Sequence, residues 1–212
     1  MTKTKSTIEN GSKKEIEIIT KRYQTHLEDM ISKHSKVLQT RFDLRYPKNY
    51  NNTIDTTSHI SNFLDNLVRD LKRNVPLPKP GMARGRKETP QVHDPDPRII
   101  WVKENHGGSN NPHYHCLTLV NGNAKKSGDD IQKRAKRQWD NVVEGDSTEG
   151  LVDFCYRQGG HSTMLNRNAP DFEIKMEQAK KQASYLSKQR GKENSEKGSW
   201  NAGGTRPPKR DI

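Results

Sequence analysis

The stretch that decides the fold runs Ile99-Ile100-Trp101-Val102-Lys103-Glu104, then through the turn formers His106-Gly107-Gly108-Ser109-Asn110-Asn111-Pro112, and on into His113-Tyr114-His115-Cys116-Leu117-Thr118-Leu119-Val120. Two apolar runs on either side of Gly, Ser, Asn and Pro read as an antiparallel hairpin. Side chains alternate along a strand, so His113 and His115 project from the same face. Pairing the two runs brings Glu104 close to both imidazoles. Two imidazoles and a carboxylate on a rigid sheet form a ligand set for a divalent ion. Either histidine could equally be a satisfied polar residue of the sheet. His106 reads as an exposed loop residue, and His93 and His161 as structural or surface residues, although His161 could approach the site.

Upstream of the hairpin, Leu38, Thr40, Phe42, Leu44 and Tyr46 alternate with Gln39, Arg41, Asp43 and Arg45, the pattern of a half-buried strand that Pro47 ends. Ile16, Ile19, Tyr23, Leu27, Met30 and Ile31 recur at helical spacing between Lys13 and Ser35, after a polar start expected to be disordered. Ile60, Phe63, Leu64, Leu67, Val68 and Leu71 mark a second helix from Thr57 to Arg73. Residues 75–97 carry six prolines around Arg84-Gly85-Arg86-Lys87 and read as a long basic loop. Downstream, Ile131, Ala135, Trp139 and Val142 predict a helix over Asp129–Val143, and residues 151–156 a short strand. Phe172, Met176, Ala179, Ala183 and Leu186 step by 4, 3, 4 and 3, which predicts a helix over 170–190. Beyond Gln189 the Gly-, Ser-, Lys- and Pro-rich end reads as a flexible basic arm. This order implies an α+β fold, a central antiparallel sheet with helices packed on one face. The expected organisation is an N-terminal basic helical extension (1–35), a core domain (36–190) and a flexible basic tail (191–212).

The 212 residues include 38 Lys and Arg against 26 Asp and Glu, a formal charge of +12, and only 28% are hydrophobic. A small core is expected, and the excess of cations favours a polyanion, nucleic acid above all. Arg41, Arg45, Arg84, Arg86, Lys87 and Lys181 are candidate phosphate contacts. Cys116 and Cys155 lie in apolar runs and read as small buried hydrophobes of a reducing cytosol. No apolar stretch is long enough to span a bilayer, and the start Met1-Thr2-Lys3-Thr4-Lys5 does not read as a signal peptide. Tyr185 and Lys188 are three apart on the last predicted helix and share a face. A tyrosine is a weak nucleophile at its free pKa, and a metal and a nearby ammonium would both assist it. An amphipathic tyrosine at the edge of a core stripe is the plainer explanation of the same residue.

Taken together, Arg41-Phe42-Asp43-Leu44-Arg45, Trp101-Val102-Lys103-Glu104, Pro112-His113-Tyr114-His115-Cys116-Leu117, Gly150-Leu151-Val152 and Tyr185-Leu186-Ser187-Lys188 resemble the His-hydrophobe-His (HUH) endonucleases. The pattern is most similar to the replication endonucleases typified by the filamentous-phage (inovirus) gene-2 protein. The resemblance covers roughly residues 36–190. It implies an HUH/Rep-like fold, a relative of the ferredoxin-like folds, that nicks and joins single-stranded or origin DNA to start rolling-circle replication of a phage or mobile element. By the same resemblance Glu104, His113 and His115 would hold Mg²⁺ or Mn²⁺. Tyr185 would form a 5′-phosphotyrosine link and Lys188 would steady the charge. Some relatives carry two tyrosines on this helix, and this chain offers Tyr185 alone. There is no Gly-x-x-x-x-Gly-Lys-Ser/Thr loop, so a host helicase and polymerase would be partners in the bacterial cytoplasm. Three other readings remain open: a DNA-binding replication or regulatory protein that does not cut, an Fe(II) oxygenase with the same ligand types, and a structural basic protein.

Overall fold

The computed structural model describes residues 3–47, 50, 56–73, 93–104, 112–143, 151–156, 161–187 and 201–207. The hairpin forms as predicted. Strands β2 (Arg98–Glu104) and β3 (His113–Asn121) pair antiparallel, with Glu104 opposite His113 and Val102 opposite His115. On the other side of β3 lies β1 (Lys36–Leu44), in a register that sets Asp43 opposite His115. The outer edge of β1 is shared end to end by β5 (Ser162–Asn166), paired with residues 36–40, and β4 (Val152–Asp153), paired with Asp43 and Leu44. Strand β6 (Ala202–Gly204) closes the far edge against β2. Every pairing is antiparallel, so the fold is α+β with a six-stranded antiparallel sheet, and β3 sits at its centre.

Four helices cover the sheet on both faces, where one covered face was expected. Helices α2 (Thr56–Lys72) and α3 (Gly128–Val143) pack Ile60, Phe63, Leu67, Leu71, Ile131, Ala135 and Trp139 against Leu38, Phe42, Leu44, Trp101, Tyr114 and Cys116. Trp139 meets Tyr46, Phe63 and Tyr114 at ring-centroid separations of 5.2 to 5.9 Å, and its indole N–H donates to the Arg45 carbonyl. Helices α1 (Lys3–Lys33) and α4 (Phe172–Ala183) cover the opposite face, packing Ile19, Tyr23, Leu27, Met30, Ala179 and Ala183 against Val37, Ile100, Val102, Leu117 and Leu119. From Ile19 onward α1 thus builds one of the two cores. Because that face is covered, β1 is buried on both sides from Val37 to Leu44. Its polar residues point toward helices instead of water, and Gln39 finds its partners there. Gln39 accepts from Tyr23 Oη at 3.0 Å and donates to the Ala179 carbonyl at 2.9 Å and to Gln182 Oε1 at 3.0 Å.

Three boundaries differ from the sequence reading. α1 begins at Lys3, not Lys13. α4 ends at Ala183, and Ser184–Ser187 continue as one 3-10 turn, so Tyr185 sits on a tightened turn and not in an α-helix. Part of the supposed tail is a strand. β6 exists because two glycines allow it to approach β2: a Cβ on Gly203 would lie 2.7 Å from the Trp101 ring, and one on Gly204, whose φ is +155°, would lie 2.2 Å from the Ile99 carbonyl oxygen. Thr205 then exchanges bonds with Ile99, its N–H to the Ile99 carbonyl at 2.8 Å and its hydroxyl accepting from Ile99 N–H at 3.1 Å. Gly204→Ala is accordingly expected to detach β6, costing about 1–3 kcal/mol in urea unfolding. Hydrogen exchange checks the cause, because the amides of Ile99, Lys103 and Thr205 should lose protection while those of β3 keep theirs.

Candidate functional site

The alternation that fills the two cores also sorts the polar residues. Arg41 and Asp43 on β1, Glu104 on β2, and His113 and His115 on β3 belong to the α1/α4 face, the one whose apolar members are Val37, Ile100, Val102, Leu117 and Leu119. His115 is the hub. Its Nε2 lies 2.5 Å from Glu104 Oε2, and its Nδ1 lies 2.9 Å from Asp43 Oδ1, an ion pair without hydrogen-bond alignment. Asp43, 3% exposed, also meets the Arg41 guanidinium at 3.3 Å. That guanidinium lies over the Tyr185 ring, 4.3 Å from its centroid. A continuous line therefore runs Glu104–His115–Asp43–Arg41–Tyr185, from the hairpin to the 3-10 turn that follows α4.

Charge along this line is mutually supported. Burial works against a charged His115, but Asp43 and Glu104 on either side overcome it and raise its pKa to about 9. Burial likewise opposes an ionised Asp43, yet His115 and Arg41 hold its carboxyl below the usual carboxylate range. Burial pushes the Cys155 thiol up to about 12 and the Cys116 thiol well above its ordinary value, so both cysteines are the inert buried hydrophobes expected. The folded pKa of His115 exceeds its ordinary 6.5, so its stabilisation is whole below pH 6.5 and is lost as pH rises through about 9. Urea unfolding should show an alkaline loss of order 2–3 kcal/mol across that window, and His115→Gln should remove the slope. The same proton competes with any divalent ion at Nε2, so metal affinity should climb over the same interval.

Of the residues singled out in the sequence, the structure brings Glu104 and His115 into contact and sets His113 across from Glu104 on the same face. Among the described residues, no three His, Cys, Asp or Glu groups are spread into a ready metal cage. The donors fit such an ion in kind, because borderline imidazole nitrogen and hard carboxylate oxygen face one another. Adjacent ligand atoms around a small divalent ion stand about 3 Å apart, so the His115–Glu104 contact of 2.5 Å would have to open before both could bind one ion. Tyr185 joins the same network through Arg41. Arg41 needs correcting as a phosphate contact: it is 2% exposed and engaged by Asp43 and Tyr185, so it works inside the site. Arg45 is half exposed and pairs with Asp153 at 3.3 Å, and Lys181 is exposed on α4. Arg84, Arg86, Lys87 and Lys188 lie outside the described residues. Asp43 was missed. Its signal was present, a carboxylate two residues from an arginine on the same face of a strand, but it reads as solvated when that face is assumed to be wet.

The site and fold define an α+β protein whose central strand carries a His-Tyr-His segment bracketed by carboxylates from both neighbouring strands. The family model for the YagK/YfjJ C-terminal domain matches residues 1–202, and the chain belongs to that family. Neither the curated proteins nor the solved structures contain a match. No described helix is long and apolar enough to cross a membrane.

Proposed function

We propose that the chain is a metal-dependent nickase and strand-joining enzyme acting on single-stranded DNA, the initiator of rolling-circle replication for a phage or other mobile element. The observation that carries this reading is the Tyr185 ring stacked on Arg41, on the sheet face that bears Glu104, His113 and His115. The phenol belongs to a turn fixed by Leu186, which is buried among Ile100, Leu117 and Ala183. Stacking against a guanidinium that Asp43 holds restrains the ring before substrate arrives, which is how positioning lowers a barrier. Tyr185 Oη would attack the scissile phosphorus in line. The new O–P bond forms as the P–O3′ bond breaks; the phenol gives up its proton and the departing 3′ oxygen takes one up. The 5′ end stays on the protein and the 3′ hydroxyl is free to prime synthesis or to reverse the step. A divalent ion, Mn²⁺ or Mg²⁺, held by Glu104, His113 and His115 would supply Lewis-acid polarisation of a non-bridging phosphate oxygen. Asp43, 2.9 Å from the other His115 nitrogen, would take the role of a carboxylate behind a ligating imidazole.

This reading places the work in the cytoplasm of a bacterial host, with unwinding and synthesis left to a host helicase and polymerase. It also assigns origin contacts to the exposed cations, Lys181 and Arg45 among them. The test is incubation of the protein with single-stranded origin oligonucleotides and Mn²⁺, followed by denaturing electrophoresis. A protein–DNA adduct that EDTA prevents, and that peptide mapping assigns to Tyr185, is the expected result. A second reading, a DNA-binding protein that does not cut, draws on one observation: both His115 nitrogens already face carboxylates. DNA binding without any adduct or cleavage would establish it instead.

A further inference from the structure

The sheet edge beside Arg41 carries an aromatic group that the proposed reaction leaves unused. Tyr156 is 56% exposed, the most open aromatic among the described residues. The Phe154 ring stands edge-on to it at 5.9 Å and 79°, and the His161 ring at 4.5 Å and 74°. Asp129, at the start of α3, accepts from Tyr156 Oη at 3.2 Å and pairs with His161 Nε2 at 3.0 Å, so one carboxylate ties both rings.

The backbone under these rings is fixed as well. Cys155, two residues beyond β4, has φ +55°, a left-handed conformation that costs a non-glycine residue energy and persists only where neighbours impose it. Asp153 Oδ1 accepts from Cys155 N–H at 2.8 Å, and Gln132 donates to the Phe154 carbonyl at 3.0 Å. Gln132 also donates to the Arg41 carbonyl at 2.8 Å, while the His161 carbonyl accepts from Arg41 N–H at 2.7 Å. Both sides of the aromatic group thus hang from the strand residue whose guanidinium stacks on Tyr185. A surface tyrosine has rotamer freedom to lose on binding; this one has been restrained from three directions, and that lowers the cost of stacking a planar group on it. An unpaired nucleobase is the planar group that such aromatics receive, whatever its sequence.

We infer that Tyr156, braced by Phe154, His161 and Asp129, is a stacking platform for an unpaired base of the DNA strand that flanks the site. The inference rests on the single-stranded DNA reading above and adds to it a place where the strand leaves the sheet. Fluorescein-labelled dT12, read by anisotropy at one fixed salt concentration, tests it together with the adduct assay. Tyr156→Ala is expected to weaken binding by about tenfold. Tyr156→Phe, which keeps the ring and loses the bond to Asp129, should stay within about threefold of the parent protein. A single abasic position moved along dT12 should cost the parent protein affinity at one site and cost Tyr156→Ala nothing there. Parent-like binding by Tyr156→Ala, with adduct formation intact in the parent, would discard the platform and leave the nickase standing. Failure of the parent protein both to bind dT12 and to form an adduct would discard the two together.

Discussion

Tyr185→Phe should abolish covalent adduct formation, by at least about a thousandfold, while leaving the fold and the affinity for single-stranded DNA close to those of the parent protein. The phenol oxygen is the only part of the side chain that the substitution removes, and the ring that meets Arg41 stays. Loss of a nucleophile removes the covalent step outright, whereas loss of a packing residue would show first in stability. Arg41→Lys provides the graded companion. It keeps the charge beside Asp43 but loses the flat guanidinium that lies on the ring, so it should form the same adduct about tenfold more slowly. An adduct that survives Tyr185→Phe would move the chemistry to another side chain and end the assignment.

The second large effect belongs to Asp43, and it is a loss of stability. Arg41 and Asp43 are 2% and 3% exposed, and His115 leans on the same carboxylate. Asp43→Ala would leave a guanidinium buried without its counter-ion, a defect that costs about 3–5 kcal/mol in comparable sites. Urea unfolding followed by tryptophan fluorescence measures it directly, since Trp101 and Trp139 are both core residues. Replacing Arg41 and Asp43 together by leucine should cost less than Asp43→Ala alone, because no unpaired charge remains. A loss under about 1 kcal/mol for Asp43→Ala would mean that water reaches this pair, and the inward-facing charge network would have to be given up. Acid adds a second readout. The carboxyl is held below its ordinary range, so its contribution is whole above that range and disappears as pH falls through the lowered value.

Some of this was legible without coordinates. The β2–β3 hairpin shows itself through two apolar runs around a Gly-Asn-Pro turn, and α2 and α3 through stripes of Ile, Phe, Leu and Trp that repeat every three or four residues. Strand β5 was missed because Ser162-Thr163-Met164-Leu165-Asn166 offers only two apolar residues, and its pairing is imposed by the open edge of β1. Strand β6 was missed for the opposite reason: Ala202-Gly203-Gly204 has no strand preference, and close approach to Trp101 selects it. The alternation in β1 was read correctly as a strand and wrongly as half-wet, because sequence cannot tell a polar residue facing water from one facing Tyr23, Gln182 or His115 across a covered face. The same ambiguity hid Asp43, while Glu104 and His115 stood out because the two apolar runs that carry them read as one hairpin.

β3 is flanked by β1 and β2 along nearly its whole length, and this has a bearing on how the site could arise or be lost. A slip of β3 by one residue against both neighbours would turn both imidazoles to the aromatic side and drive Tyr114 among the carboxylates. Tyr114 is wedged against Trp101 and Trp139 there, so the misaligned form would forfeit its largest ring contacts. The bulky residue between the two histidines thus acts as a key, and the alignment of the site's polar residues is inherited from a hydrophobic lock on the reverse of the sheet.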